Sequence, residues 1–446
     1  MNATIMASEL RGTVRAISSK SQVHRMLIGA ALADQPVWLN CRGLSNDVIA
    51  TMNCLKSLGA NVVYTYRLAP SLEKEVSDSI YGHTVRLVNE EDVLRVTPLT
   101  GVPKKAVLDP GESGSTYRFF TPLVAALGVE THFKLHGKLP SRPMDDLWRE
   151  MERHGVTISG KGTDHPVLTG QLTSGEYRLP GSVSSQFFTG LLFALPLLNG
   201  DSRIVIEGKL ESAGYIDMTL DALSAFGIGI ERGADFFAVS GGQKYKVPEM
   251  PDDGRVVDIN FYPEGDWSNS AFWLCAGAAK GEVGVSRLML PSHQGDSAVV
   301  EILRRMGADV SVQEAIINDT NTVKASAWKR DGATISACAR KGITVDVSDI
   351  PDLVPALAVA AMAAKGRTVF ENAGRLRLKE SDRIASVCAA VNALGGKAFA
   401  EGDSLIIEGG ERPKGGTVDA CGDHRIAMLA AAAAPWCTGM VKIIGA

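Results

Sequence analysis

Six clusters of polar or charged residues recur along this sequence, each just ahead of an Ala/Leu-rich run. Ser19, Lys20, Ser21 and Arg25 lead into residues 26–32, and Ser113, Gly114, Ser115, Thr116 and Arg118 into 119–127. Ser184, Ser185 and Gln186 precede 187–198; Asp266, Ser268 and Asn269 precede 272–279. Asp349 and Asp352 stand before 354–364, and Asp423, His424 and Arg425 before 426–434. If each run is a helix, each cluster sits on its N-terminal turn, where unpaired N–H groups and about half a positive charge attract anions. One hydroxyl cluster alone reads as an N-cap. A cap does not call for the Lys and Arg residues beside it, so the set points to chemistry on small molecules carrying several negative charges.

The elements that must position these clusters repeat. Each apolar run is followed, after a Gly or polar break, by a β-type stretch beginning near Val37, Thr131, Arg203, Val283, Thr368 or Val441, at intervals of about 80 residues. Between the runs lie amphipathic, charged segments that close on Gly59, Gly155, Gly227, Gly307 and Gly395, as left-handed helix C-termini require. Asp47, Asp145, Asp217, Asp296 and Asp382 fall in or near their first turns. Each unit thus reads as two strand–helix pairs, one helix buried all round and the other half exposed. That pattern implies sheets around inner helices, in two pseudo-symmetric halves with the sixth unit incomplete.

Composition narrows the function. A 446-residue chain, 45% hydrophobic and 22% charged, has the make-up of a soluble protein of two or three domains. A formal net charge of −4 gives no global support for a nucleic-acid or membrane partner. The seven cysteines are scattered without a C-x-x-C pair or a histidine cluster, so reduced thiols and no metal are expected. No basic segment followed by an apolar one opens the chain, which predicts a cytoplasmic location. The apolar runs at 187–198 and 426–435 are too short to span a bilayer.

Several segments resemble the signatures of EPSP synthases, in family order from residue 19 to 425: S-K-S-x-x-x-R from Ser19 to Arg25, E-S-G-S-T-x-R from Glu112 to Arg118, and G-S-V-S-S-Q-F from Gly181 to Phe187. They continue with S-x-x-Y-I-D from Ser212, E-G-D from Glu264, I-P-D from Ile350, L-R-L-K-E-S-D-R from Leu376 and D-H-R from Asp423. The resemblance implies the enolpyruvyl transferase fold: an α/β protein of two domains, an inside-out α/β barrel built from six βαβαββ-type repeats. The implied domains are residues 20–263, and 1–19 with 264–446, with crossovers near 19 and 263 and substrates between them. The implied activity moves the enolpyruvyl group of phosphoenolpyruvate to the 5-hydroxyl of shikimate 3-phosphate, in a monomer without metal or organic cofactor.

By the same resemblance, Lys20, Ser21, Arg25, Ser184, Ser185, Gln186, Ser212, Tyr215, Asp352 and Lys379 hold shikimate 3-phosphate, Arg25 meeting its carboxylate. Lys20, Gly114, Lys138, Gln186, Arg383 and Arg425 hold phosphoenolpyruvate, supported by Arg118 and Arg142. Glu380 is assigned as the acid that protonates the methylene carbon and Asp352 as the base for the 5-hydroxyl. Lys20 steadies developing charge, and His424 is a supporting donor near the phosphate. Gly114 implies room for the inhibitor glyphosate.

The sequence also departs from the family. Lys138 stands where an arginine is usual, keeping the charge but losing the bidentate fork. Glu112 and Arg375 stand where asparagine is common, and neither is assigned a substrate contact. The family's K-[ST]-[FY]-P segment, expected beyond residue 446, is not in this sequence. An enolpyruvyl transferase of cell-wall synthesis is the nearest rival, but its loop cysteine has no counterpart in 136–146. A non-catalytic scaffold and an RNA-modifying protein are more distant rivals. Lys20, Asp352 and Glu380 weigh against the first, and the lack of a basic, aromatic-lined stripe against the second.

Overall fold

The computed structural model describes residues 2–68, 76–77, 84–85, 90–248, 259–314, 321–331, 334–338 and 340–445. Its α-helices are α1 (Lys20–Leu32), α2 (Asn46–Ser57), α3 (Gly114–Ala126), α4 (Asp145–Arg153), α5 (Ser185–Ala194), α6 (Ala213–Ala225), α7 (Trp267–Lys280), α8 (Val299–Arg305), α9 (Val354–Ala363), α10 (Arg383–Ala393) and α11 (His424–Ala433). All six apolar runs are helical. Five of these helices are capped by the predicted clusters: Ser19, Ser113, Ser184, Asp266 and Asp423 each accept a backbone N–H from the first turn. The exception is α9, which continues from a 3-10 turn at Pro351–Leu353 and has no side-chain cap.

Burial follows composition in α9 but not throughout α7, where Trp273 is exposed, or α11. Every residue of α9 is buried, because Val354–Ala363 contains nothing polar. On α11, Ala427, Met428, Ala431 and Ala432 are only partly buried, so this helix is not enclosed all round. The run at 187–198 is α-helical only to Ala194 and tightens to a 3-10 turn at Leu195–Leu197, since Pro196 has no N–H to donate. At Gly190 on α5 a Cβ would stand 2.4 Å from the Arg118 carbonyl oxygen, so only glycine permits this approach of α3 and α5.

The amphipathic helices α2, α4, α6, α8 and α10 end as expected, with Gly59, Gly155, Gly227, Gly307 and Gly395 all at positive φ. Asp47 and Asp145 lie in first turns, and Asp382 is the N-cap of α10. Asp217 lies just past the first turn of α6, which begins four residues earlier at Ala213.

One strand order recurs. In the sheet formed with α3 and α4, Lys105–Gly111 pairs parallel with Glu130–Leu135, and Val167–Gly170 joins antiparallel between Glu130–Leu135 and Val156–Ser159. Chain order is β-α-β-α-β-β. The same order holds for the sheets containing Ser202–Glu207 and Gly366–Glu371. Two further sheets take their first strand from a distant part of the chain: Asn260–Phe261 pairs parallel with Val37–Cys41, and Leu10–Arg15 pairs parallel with Gly281–Leu288. In the sixth, Gly416–Asp419 and Val441–Ile444 are parallel, and Asn2–Ile5 adds antiparallel in the place of the fourth strand.

Contacts divide the chain into two units. The first comprises Met1–Ala16, Glu211–Tyr215 and Glu264–Ala446; the second comprises Ile17–Leu210 and Ile216–Pro263. Each has its own hydrophobic core. In the second unit α3 packs on α5 and α1; in the first, α7, α9 and α11 pack on one another. Among the described residues no helix is long and apolar enough to cross a membrane.

Candidate active site

In the second unit, predicted site residues gather on the first turns of α1, α3 and α5. Lys20, the first residue of α1, places its Nζ 2.8 Å from Asp47 Oδ2 at the start of α2. A buried relay ties these starts together: His24 Nδ1 lies 2.7 Å from Thr51 Oγ1, Thr51 Oγ1 2.7 Å from Thr116 Oγ1, and Thr116 donates to Ser113 Oγ at 2.7 Å. Burial pushes the His24 imidazole down to about 3, so it is neutral. Gln186 on α5 accepts from Arg118 Nη1 and donates to Ser115 Oγ, both at 2.8 Å. A Cβ on Gly114 would lie 2.8 Å from Arg142 Nη1 and 2.9 Å from Arg118 Nη1. Gly114 thus leaves two guanidinium groups close to the N-terminus of α3.

Two predicted residues of this unit stand apart. Arg25 is buried and turned into the core, donating to Thr219 Oγ1 at 2.8 Å, to the Ser21 carbonyl at 2.6 Å and to Thr189 Oγ1 at 3.3 Å. Lys138 is exposed at the start of the 3-10 turn Leu139–Ser141. Ser184 caps α5, with Ser185 buried behind it.

The first unit holds the denser cluster. Arg383, 1% exposed, spans three carboxylates: Nε and Nη2 meet Asp423 at 2.8 and 3.3 Å, Nη1 meets Asp352 at 2.7 Å, and Nη2 also meets Glu380. Lys379 Nζ is 3.3 Å from Asp352 Oδ1, and Arg425 Nη2 is 3.6 Å from Asp352 Oδ2. Burial alone would raise the Asp352 carboxyl, but Arg425, Lys379 and Arg383 together hold it well below the usual carboxylate range. Burial lowers the Lys379 ammonium against the pull of Asp352.

A third carboxyl behaves differently. Asp296, buried and accepting from the Ser268 hydroxyl on α7, is pushed up to about 6 by burial and by Asp352, against the pull of Arg425. Burial, reinforced by Asp296 and Asp352, pushes the Tyr215 hydroxyl well above its ordinary value. Ser212, at a left-handed φ of 56°, donates its N–H to Asp349 Oδ1 at 2.7 Å and accepts at Oγ from Arg375 Nη1 at 3.1 Å.

The first unit therefore brings together Asp352, Lys379, Glu380, Arg383 and Arg425, and the second brings together Gly114 and Gln186 with Arg118 and Arg142. Sequence reasoning gave no role to Thr51 or His24, read Asp47 and Asp296 only as acids near helix starts, and placed Asp423 in a helix-start cluster without naming Arg383 as its partner. Among the described residues no group of three His, Cys, Asp or Glu side chains could hold a metal ion.

Five four-stranded sheets of one strand order and a sixth of three strands, with polar inner-helix starts, define an enolpyruvyl transferase architecture. The enolpyruvyl transferase NikO from Streptomyces tendae has this fold at a TM-score of 0.67 and 16% identity, covering 99% of this chain and 92% of that one. The EPSP synthase from Acinetobacter baumannii gives a TM-score of 0.73 at 23% identity, covering 100% and 94%. The family model for EPSP synthase (3-phosphoshikimate 1-carboxyvinyltransferase) matches residues 6–70 and 75–445. The 3-phosphoshikimate 1-carboxyvinyltransferases of Clostridium kluyveri and Clostridium beijerinckii are 39% and 36% identical, covering 99% and 98% of this chain and 92% and 91% of their own lengths. The chain belongs to the EPSP synthase family.

Proposed function

We propose that this chain is a transferase that moves the enolpyruvyl group of phosphoenolpyruvate to the 5-hydroxyl of shikimate 3-phosphate and releases phosphate, as a cytoplasmic monomer. The observation that carries the reading is the cluster in which Asp352 and Glu380 lie within one shell of Lys379, Arg383 and Arg425. It supplies a candidate base, a candidate acid and the cations that an anionic substrate pair needs.

Asp352 takes the proton of the 5-hydroxyl as the oxygen attacks C2, while Glu380 protonates the methylene carbon, giving a tetrahedral intermediate. Loss of a proton from the new methyl group and departure of phosphate restore the enol ether. Three cations make Asp352 a weak base before substrate arrives. Phosphoenolpyruvate, drawn to Arg383 and Arg425, competes for those cations and so raises the basicity of Asp352 when it is needed. Lys20, paired with Asp47, steadies charge on the donor.

Shikimate 3-phosphate is assigned to Lys20, Ser21, Ser184, Ser185, Gln186, Ser212, Tyr215, Asp352 and Lys379. Arg25 is assigned to its carboxylate as well, three of its five N–H donors serving Thr219, Ser21 and Thr189. Phosphoenolpyruvate is assigned to Lys20, Gly114, Lys138, Gln186, Arg383 and Arg425. Gly114, with no Cβ to press on the guanidinium groups of Arg118 and Arg142, supports glyphosate as an inhibitor that competes there.

The test is inorganic phosphate release with both substrates and with each alone. Release that requires both is the expected result; a folded chain that releases none with both present would sink the assignment.

A further inference from the structure

His24, on the second turn of α1, is fully buried although its ring is polar. Its Nδ1 lies 2.7 Å from Thr51 Oγ1 on α2, and Thr51 Oγ1 lies 2.7 Å from Thr116 Oγ1 on α3. Its Nε2 is buried and has no hydrogen-bond partner among the described residues. Phe119 meets the ring edge-on, with centroids 6.4 Å apart.

The protons along this chain of groups run one way. Thr116 has a single hydroxyl hydrogen, and two acceptors stand beside it: Ser113 Oγ at 2.7 Å and the Asp47 carbonyl at 3.4 Å. With its hydrogen turned to these acceptors, Thr116 Oγ1 accepts from Thr51. Thr51 then has no hydrogen left for His24, so His24 Nδ1 carries the proton and Nε2 keeps a bare lone pair. Burial resists a second proton on the ring, against the pull of Asp47 and with help from Lys20 and Arg25.

The far end of the relay holds the donor side of the site. Ser113 Oγ caps α3 by accepting the Thr116 N–H at 3.2 Å, which fixes the turn that carries Gly114 and Ser115. Ser115 Oγ accepts from Gln186, and Asp47, whose carbonyl faces Thr116, holds Lys20 Nζ with its carboxylate. Lys20, Gly114 and Gln186 are three of the groups assigned above to phosphoenolpyruvate. Hydroxyl hydrogens rotate, so without a fixed donor at its start the relay can reverse and release Ser113 and Asp47.

We propose that His24 is a positioning residue for the phosphoenolpyruvate site: as the Nδ1–H tautomer it fixes, through Thr51 and Thr116, the first turns of α2 and α3 that present Asp47, Gly114 and Ser115. This rests on the phosphoenolpyruvate reading above and adds to it a residue that never touches substrate.

The test joins two measurements on the whole chain. Long-range proton–nitrogen NMR of histidine-labelled protein separates protonated from bare ring nitrogens, and the signal lost in His24→Asn identifies His24; Nδ1 is expected to be protonated and Nε2 bare. In steady-state kinetics, His24→Leu raises the KM for phosphoenolpyruvate about three- to tenfold and leaves kcat and the KM for shikimate 3-phosphate within about twofold, because the loss falls on binding of one substrate. His24→Asn, whose amide can donate from the place of Nδ1, recovers most of that loss. Thr116→Val raises the same KM, and adding His24→Leu to it changes that KM by no more than about twofold, as members of one relay should. An Nε2–H tautomer in an active parent overturns the proposal. So does a parent-like KM in His24→Leu, and so does an equal rise for both substrates, which marks general loosening. If His24→Leu does not fold, Thr116→Val decides, and an unchanged KM there overturns the proposal. A parent chain that releases no phosphate with both substrates overturns the phosphoenolpyruvate reading, and this proposal with it.

Discussion

Asp296, buried, and Asp352, partly exposed, are carboxyls under the influence of the same Arg425, yet they titrate in opposite directions. Three cations keep Asp352 ionised, while burial and the charge of Asp352 raise Asp296 to about 6. A carboxyl whose folded-state pKa lies above its unfolded value favours the folded chain at low pH, and that advantage is lost as pH rises through the folded value. Asp296→Asn is therefore expected to stabilise the chain at pH 7.5, on the order of 1–3 kcal/mol, with the gain gone near pH 4. Melting temperatures of both proteins across that range check it; a gain independent of pH would refute the titration. At Gly114 the expectation concerns ligands. Alanine there presses on the tips of Arg118 and Arg142, both able to shift. Gly114→Ala keeps its melting temperature, raises the KM for phosphoenolpyruvate a few-fold and weakens glyphosate by about tenfold or more, which steady-state inhibition kinetics would show.

At the scale of elements, the closing glycines differ in how much they depend on space. Gly227 has φ of +73°, and a Cβ there would come no nearer than 3.7 Å to any neighbour, so Gly227→Ala costs only the left-handed backbone, about 1–2 kcal/mol. Gly155 has φ of +90° and the Gln171 carbonyl oxygen at 2.7 Å from where a Cβ would stand, so Gly155→Ala costs more. Denaturant midpoints of the two variants should rank in that order, and equal losses would show that the carbonyl yields freely. These helices were legible because an amphipathic stripe and a terminal glycine are local signals. The inner runs were legible because they lack polar residues almost throughout. The inner helix α11 was overstated because alanine is at home both in a core and at its edge. The site was legible only in part, at the helix starts. The ion pair of Arg375 with Glu211 joins residues 164 apart in the chain, and no spacing rule reaches that far.

On the scale of the whole molecule, neither unit is continuous in sequence. Leu10–Arg15 completes a sheet of the first unit and Asn260–Phe261 one of the second. Removing residues 1–16 takes one strand from each of two first-unit sheets and none from the second. Calorimetry of that deletion should show the first unit's transition lowered or lost while the second unit's persists; a single unshifted transition would mean these strands contribute little. The same strand exchange sets a clock on synthesis. Val14 meets Ser286, 272 residues later. At roughly 5–20 residues per second, the Leu10–Arg15 strand waits on the order of 15–50 s after emerging before its parallel partner exists. Through that interval it is an open edge able to pair with another chain, so nascent copies of this protein should depend on holding chaperones more than its final stability would suggest.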